Sequence, residues 1–386
     1  MVNEQRVLQV VLETKQERNT RFMKPHKLIL QWNREVRKAF AQLSKPQAYL
    51  LAALSLGVAQ AKSCTLTRIA QSLFVLGNLP AVERRCQRFL SNAQVDWHAG
   101  STALACWVLA RAVPPQGKPL VLLVDETALH EHLKVMVVAL AYRGRAIPLA
   151  WWCYSQYEYP LAQVELIDTL LAQIAPALPP GVPVLVQADR GIGTSPGLMA
   201  AVERRHWHYL FRVQASVQLV LADGRKLSFG EWVPRPGRSC HAQPVRALKK
   251  AGWRQCRALG YWKVGQPEPW LLLTNWPAAT TAKYGRRMWE EGAFRDVKSN
   301  GFNWQKSRVR QPEHANRLWL ILALAYAWLI SLGTRVQARP SRWHQVAHGN
   351  KERVSVFQLG LRWLDRCVQQ NKKLIFQLRL DLFEVL

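Results

Sequence analysis

Acidic residues are scarce in this chain. Its 386 residues include 25 Asp and Glu against 53 Lys and Arg, which gives a formal net charge of +28. Self-repulsion of this size is tolerated most readily when the partner is a polyanion. We therefore expect nucleic acid as the partner, with an anionic membrane surface as the second alternative.

Several familiar motifs are missing as well. The seven cysteines are scattered and form no C-x-x-C pair, which argues against a disulfide framework and a zinc knuckle and favours a reducing, cytoplasmic setting. No G-x-x-x-x-G-K-[ST] loop occurs, so ATP dependence is not indicated. The N-terminus carries acids where a signal peptide has an apolar core. The longest apolar run, residues 318–332, is shorter than the roughly 20 residues of a membrane span. It predicts a buried core helix and not a membrane span; of the two alternative partners we keep nucleic acid and expect no membrane.

Three regions follow one another along the chain. Residues 1–112 show apolar residues at helical spacing and no strand alternation, which predicts an all-α domain. A proline-rich connector at 113–119 then opens residues 113–334, where apolar runs predict the order strand–strand–strand–helix–strand–helix–strand. That order is typical of an α/β layer architecture. Residues 335–386 form a basic tail with two amphipathic stretches, for which we expect a helical C-terminal region.

The α/β region is interrupted once. Residues 214–266 contain Asp223-Gly224, Pro234-Arg-Pro-Gly237 and many short β-like runs. These features predict a β-rich insertion, after which a further strand at 269–275 resumes the earlier pattern.

The helical region contains a possible DNA-reading unit. Residues 65–73 and 81–90 are two helical stretches separated by a break at Gly77 and Pro80, which is the pattern of a helix–turn–helix. The second stretch carries the DNA-binding candidates Arg84, Arg85 and Arg88. Such a helix can enter the major groove, although an ordinary helical hairpin with a solvated basic face fits equally well.

Two aspartates end apolar strands. Asp125 follows Leu120-Val-Leu-Leu-Val, and Asp189 follows Pro183-Val-Leu-Val-Gln-Ala. A charge directly after a buried strand emerges at the carboxyl edge of the sheet, where α/β proteins bind ligands. Taken alone, either aspartate fits a helix or turn cap better. The pair favours a functional site.

The run from Tyr284 to Lys298 supplies a third carboxylate, Glu291. On one regular helix Tyr284, Arg287, Glu291 and Lys298 fall within about 60° of one another, so they share a face. Glu290 projects away from that face in the same helix, so we prefer Glu291 to it. Glu126 is set aside for a similar reason, since on a strand its side chain points opposite to that of Asp125.

Three carboxylates suit hard divalent ions. Asp125, Asp189 and Glu291 could hold two Mg²⁺ ions, with Mn²⁺ expected to substitute, because both ions prefer oxygen ligands. Such a pair promotes phosphodiester cleavage by activating the attacking oxygen and stabilising the leaving one. The arginine and lysine on the same helix face would contact phosphates.

These motifs together resemble a known family. The stretches Leu122-Leu-Val-Asp125, Val186-Gln-Ala-Asp189-Arg-Gly191 and Tyr284–Lys298 are similar to those of bacterial insertion-sequence DDE transposases with the Y-x2-R-x3-E-x6-K signature, the IS-four-type cut-and-paste group. The resemblance covers about residues 30–365. It implies an RNase H-like catalytic core with Asp125, Asp189 and Glu291 as the metal triad.

The resemblance also implies partners and further roles. Tyr284, Arg287 and Lys298 would grip DNA near the scissile phosphate, and the N-terminal region would read the terminal inverted repeats. The C-terminal tail would help a homodimer to hold two element ends beside target DNA, and the protein would be associated with the nucleoid when bound. Two alternatives stay open: a metal-dependent nuclease or domesticated relative without strand transfer, and a non-catalytic DNA-binding regulator.

Overall fold

The computed structural model describes residues 25–348 and 354–381. The first 24 residues of the predicted all-α domain and residues 382–386 of the predicted helical tail lie outside the described residues. The description below concerns the two described ranges.

Helices make up the N-terminal region, as predicted. They are α1 (Pro25–Ala39), α2 (Lys45–Ala61), α3 (Leu66–Ser72), α4 (Leu79–Ser91) and α5 (Trp97–Leu109). Polar caps explain several helix starts. Ser44 and Gln47 form a capping box before α2, while Asn78 caps α4 and Asp96 caps α5. Helices α2 and α3 meet at 97°, and α3 and α4 are the two helices of the predicted helix–turn–helix.

Strands of the middle region form one mixed sheet. The order of its ten described strands is β3-β2-β1-β4-β5-β10-β9-β8-β6-β7. They are β1 (Leu120–His130), β2 (Leu133–Tyr142), β3 (Arg145–Ser155), β4 (Val184–Ala188), β5 (His208–Arg212), β6 (Gln218–Val220), β7 (Lys226–Ser228), β8 (Ser239–Ala247), β9 (Arg254–Tyr261) and β10 (Trp270–Thr274). Strands β1, β4 and β5 run parallel, and the other neighbouring pairs are antiparallel. The β-rich insertion is therefore a continuation of the sheet, since β9 pairs with β10.

Helices of the middle and C-terminal regions complete the described chain. They are α6 (Gln163–Ile174), α7 (Arg190–Gly193), α8 (Pro196–Glu203), α9 (Phe229–Trp232), α10 (Thr281–Tyr284), α11 (Met288–Arg295), α12 (Pro312–Gln337), α13 (Pro340–Trp343) and α14 (Val356–Gln369). The chain is thus a mixed α/β protein with a helical region before its sheet.

Helix α12 lies in the core of the fold. It is 26 residues long and apolar enough to cross a membrane by length and composition, but 94% of its most apolar window is buried inside the protein. Asn316 fixes it to the sheet, since its side chain accepts from Cys153 N at 2.7 Å and donates to Cys153 O at 3.1 Å. The prediction of a buried core helix is confirmed, with longer bounds than the apolar run.

The end of the chain differs from the prediction. Residues 372–381 contain no helix, so the expected helical tail is wrong for this segment. Its buried residues Leu374, Phe376, Leu378 and Leu380 alternate along the chain, which is a period of two. The backbone is paired with α12 instead: Trp328 donates to Ile375 O, and Arg379 N donates to the hydroxyl of Ser331.

Candidate active site

The first two aspartates lie side by side at the carboxyl ends of parallel strands. Strands β1 and β4 pair up to Val124 and Ala188, so Asp125 and Asp189 each follow the last paired residue. Asp189 comes directly after β4, as predicted. The prediction that Asp125 ends its strand is wrong, because β1 continues beside β2 as far as His130.

Asp189 combines the two roles that the sequence presented as alternatives, a helix cap and a site residue. One carboxylate oxygen caps the short helix α7, accepting from Gly191 N at 2.9 Å and Ile192 N at 3.1 Å. The other oxygen lies 3.7 Å from the guanidinium of Arg287. Capping therefore orients the side chain and leaves one oxygen directed at the other site residues.

The segment carrying Glu291 is not one regular helix. After α10 the chain makes a 3₁₀ turn at Gly285–Arg287, returns to α geometry in α11, and ends in a π turn at Asp296–Asn300. Tyr284 and Lys298, at its two ends, nevertheless both contact the strands that position the aspartates. Tyr284 donates to Ala188 O at 3.3 Å, and Lys298 donates to the hydroxyl of Thr127 at 2.6 Å. The two ends of the segment thus contact the last residue of β4 and, in β1, the residue two positions after Asp125.

Arg287 lies among all three predicted carboxylates. Its guanidinium is 2.8 Å from Asp125 Oδ2, 3.7 Å from Asp189 Oδ2 and 2.7 Å from Glu291 Oε1. The Arg287 side chain is 12% exposed, so these charges interact in a partly water-excluded setting where each contact is stronger than at the surface. Residues from three separate elements therefore converge on one cation.

The electrostatics of the site follow from burial and crowding. Burial raises the pKa of Asp125 to about 6, and the charges of Asp189 and Glu291 add to this rise while Arg287 opposes it. Burial lowers the pKa of Arg287, but Asp125 and Asp189 more than offset this effect, so its pKa is raised. Burial also lowers the pKa of Lys298, against the opposing charge of Asp125. The site is thus a network of coupled charges.

Part of the chain matches a known protein family. Residues 162–328 match the family model described as transposase DDE domain. The chain carries a transposase DDE domain. The matched range contains Asp189 and the whole Tyr284–Lys298 segment, and it begins after Asp125. No curated protein sequence matches the chain. Membership of the Y-x2-R-x3-E-x6-K group stays a prediction.

Transposase DDE domains usually work with divalent metal ions, so the fit of such an ion to these residues matters. Three carboxylates are hard oxygen donors of the kind that Mg²⁺ and Mn²⁺ prefer, and here they already surround a positive charge. Among the described residues, however, no group of three or more His, Cys, Asp or Glu side chains is arranged to hold a metal ion. The donor set fits, while the present arrangement is organised around Arg287.

Glu290, the neighbour of Glu291 in α11, is buried. It is only 1% exposed, and burial together with the charge of Asp125 raises its pKa well above the ordinary value while Arg287 opposes the rise. Neither of its carboxylate oxygens has a hydrogen-bond partner in the described part of the chain. A helix projection could not anticipate this, because it gives the face on which a side chain lies and not how deeply that face is buried.

Glu126 lies elsewhere, as expected for its place on the strand. Its carboxylate pairs with Lys134 at 2.8 Å and accepts from the hydroxyl of Tyr159 at 2.7 Å. Glu126 thus has its own partners, and Asp125 is the acid of this pair that contacts Arg287.

Three predicted DNA contacts do not join the site. Arg84, Arg85 and Arg88 are exposed on α4, and the first two are tied to their own neighbourhood. Arg84 donates to Pro80 O at 3.3 Å, and Arg85 donates to Leu76 O at 2.9 Å. They belong to the N-terminal helices, and their role in DNA binding stays a prediction.

The sequence reasoning missed two supports of the site. Thr127 holds Lys298, and a signal existed, since residues two apart on a strand share a face. Asp296 is buried and bonds Arg145 at 2.5 Å and Tyr326 at 3.0 Å. This pair anchors the π turn to β3 and α12. Nothing in the local sequence links residues so far apart.

Proposed function

We propose that this protein is a DNA transposase that cleaves DNA at the ends of its element and transfers the freed 3′-hydroxyl ends to target DNA. The observation that carries the proposal is the convergence of Asp125, Asp189 and Glu291 on the Arg287 guanidinium at the carboxyl edge of the sheet. The transposase DDE domain found in residues 162–328 supports the same reading. An RNase H-like core and two-metal chemistry are part of the proposal.

Cleavage and joining are two displacements at phosphorus. In the first, a water oxygen attacks the phosphodiester and the bond to the 3′-oxygen breaks, leaving a 3′-hydroxyl and a 5′-phosphate. In the second, that hydroxyl attacks a target phosphodiester and displaces a target 3′-oxygen, which takes up the proton. Bound divalent ions would supply activation of the attacking oxygen and neutralisation of charge on the leaving oxygen.

Individual side chains of the site would have distinct roles in this reaction. Asp125, Asp189 and Glu291 would hold the divalent ions with their carboxylates. Arg287 and Lys298 would bind the phosphate whose bond is broken, since cations bind phosphate oxygens with strong, charge-assisted hydrogen bonds. Arg287 would have to exchange its carboxylate partners for phosphate oxygens. Tyr284, whose hydroxyl is bonded to Ala188 O, would position this segment against β4.

The remaining assignments extend the proposal to the whole chain. The N-terminal helices would bind the terminal inverted repeats, and two copies of the chain would hold two element ends together. The protein would act in the cytoplasm, associated with the nucleoid, without ATP. These features follow from the resemblance to cut-and-paste transposases.

The decisive experiment is a cleavage and joining assay. Purified protein would be incubated with labelled DNA carrying the sequences that flank its gene, with Mg²⁺ or Mn²⁺, beside an Asp125→Asn control. Joined products that depend on Asp125 are expected. Cleavage without joining would instead identify a metal-dependent nuclease. Binding without any cleavage in either metal would identify a DNA-binding regulator.

A further inference from the structure

A groove lies between the N-terminal helices and the chain that follows the Tyr284–Lys298 segment. One wall comes from residues 61–68 and from α4, and the other from residues 303–314. Its volume is about 1170 Å³. We call it the basic groove and define it by its exposed cations Arg68, Lys306, Arg308 and Arg310.

The charge of the basic groove is uncompensated. None of its four defining cations forms an ion pair within residues 25–348 and 354–381. Glu83 is the acid among the lining residues, and its carboxylate accepts from the hydroxyl of Thr67. A fifth cation, Lys62, is already paired with Asp365 at 2.6 Å. Four like charges facing a shared space repel one another, so an anion that fills the groove is stabilised.

The two walls are held in a fixed relation. Cys64 N donates to Phe302 O at 2.6 Å, and the side chain of Asn303 donates to Lys62 O at 2.9 Å. The hydroxyl of Thr65 donates to Lys306 O at 3.3 Å. These bonds join residues about 240 positions apart in sequence. The groove is therefore organised before any ligand binds, which lowers the entropic cost of binding.

The basic groove is connected to the site through β1. His130 Nε2 donates to Val309 O at 2.6 Å, and Lys298 bonds Thr127 on the same strand. From Asp125 to His130 the strand advances about 16 Å. That length corresponds to about five successive phosphates of one DNA strand along the helix axis. A duplex that holds one phosphate at the carboxylates and runs in this direction would reach the groove.

We propose that the basic groove holds the sugar–phosphate backbone of double-stranded DNA running on from the scissile phosphate, with Arg68, Lys306, Arg308 and Arg310 as phosphate contacts. The inference rests on the proposed function for its substrate. It differs from the sequence-based expectation in the face of α4 that meets DNA. Helix α4 lines the groove through Glu83, Gln87, Leu90 and Ser91, whereas Arg84, Arg85 and Arg88 are not among the lining residues.

Salt dependence of DNA binding tests this inference. The test variant changes Arg68, Lys306, Arg308 and Arg310 together to Gln. Affinity for a linear DNA duplex of arbitrary sequence would be measured over a range of salt concentrations. The slope of log K against log salt is negative, and each lost phosphate contact reduces its magnitude by about 0.9, so a total reduction of about 3 to 4 is expected.

A matched control has the same composition at a distance from the groove. It changes Arg34, Arg37, Arg339 and Lys373 to Gln, which are also three arginines and one lysine, all exposed. Thermal unfolding would establish that both variants are folded. A fall in slope confined to the groove variant supports the inference. An unchanged slope in that variant, or equal falls in the two variants, overturns it.

The proposed function can fail separately. If the wild-type protein cleaves and joins DNA while the groove variant binds with an unchanged slope, only the groove inference is wrong. If the salt slope becomes shallower in the groove variant, while neither the wild-type protein nor any variant cleaves DNA, the groove inference stands and the proposed function is wrong.

Discussion

The carboxylate site and the basic groove are linked through β1 but differ in how their charges are balanced. At the site, Asp125 and Glu291 are hydrogen-bonded to Arg287, so an internal cation balances the acids. In the groove, Arg308 and Arg310 have no acidic partner within the described residues. The comparison shows where a ligand must replace existing contacts and where it meets open positive charge.

The largest expected effect separates catalysis from binding. Glu291→Gln removes a charge from the three-carboxylate site, so Mg²⁺-dependent cleavage is expected to fall by at least about 100-fold, the size seen when one strong charge-stabilising group is lost. Duplex binding is expected to remain, because the basic groove is unchanged. Cleavage rates and affinity would be measured on the same protein. Glu290→Gln is the matched control, and loss of cleavage in that variant alone would transfer the catalytic role to Glu290.

Replacing Arg287 tests whether its positive charge stabilises the three carboxylates when no metal ion is present. Arg287→Met leaves three carboxylates facing one another and an unpaired Asp125, so a loss of about 3 kcal/mol in the free energy of unfolding is expected. Urea unfolding in EDTA would measure it. Saturating Mg²⁺ is expected to restore part of the loss, since a ligand that binds only the folded state stabilises it. If the variant is as stable as wild type in EDTA, Arg287 does not stabilise the three carboxylates.

Glu290 offers a smaller effect with a defined pH dependence. Its folded pKa lies well above the ordinary 4.5, so its contribution to stability is fully present below pH 4.5 and is lost as pH rises through the folded pKa. Glu290→Leu removes this loss and two unpaired buried oxygens. We expect a gain of about 1 kcal/mol or more near pH 8 and less near pH 5. Thermal unfolding at both pH values measures it, and a gain independent of pH would refute the explanation.

The smallest effect concerns the groove cation that is already paired. Lys62 forms a partly exposed ion pair with Asp365, and such pairs contribute about 0.2 to 1 kcal/mol. Lys62→Gln is therefore expected to alter both stability and the salt slope of DNA binding only slightly, while Arg308→Gln reduces the magnitude of the slope by about 0.9. Equal slopes for the two variants would show that pairing does not decide which cations contact phosphate.

Local pattern was enough to predict the strands that position the aspartates. Apolar runs buried on both faces led directly to β4 and to the first part of β1, because such runs have few other stable environments. The strand pairing that places Asp125 beside Asp189 was only inferred from general α/β architecture. The length of β1 beyond Asp125 was missed, since its pairing with β2 depends on a hairpin partner.

Projection on a regular helix predicted the Tyr284–Lys298 segment only in part. Projection on an ideal helix correctly placed Arg287 and Glu291 on one side, since the two side chains form an i,i+4 ion pair across the join between the 3₁₀ turn and α11. It did not anticipate the burial of Glu290, because burial depends on the tertiary contacts around the segment, such as the pair of Arg145 with Asp296. Tertiary contacts of this kind leave no trace in residue spacing.

Strand β10 has a consequence for the stability of shortened chains. Its residues Trp270-Leu-Leu-Leu-Thr274 pair with β5 on one side and with β9 of the insertion on the other. Removing residues 214–266 would leave one side of this apolar strand with unpaired backbone groups. Such an edge is a template for pairing between chains and hence for aggregation. The β-rich insertion therefore also acts as an edge cover that keeps the sheet from joining other copies.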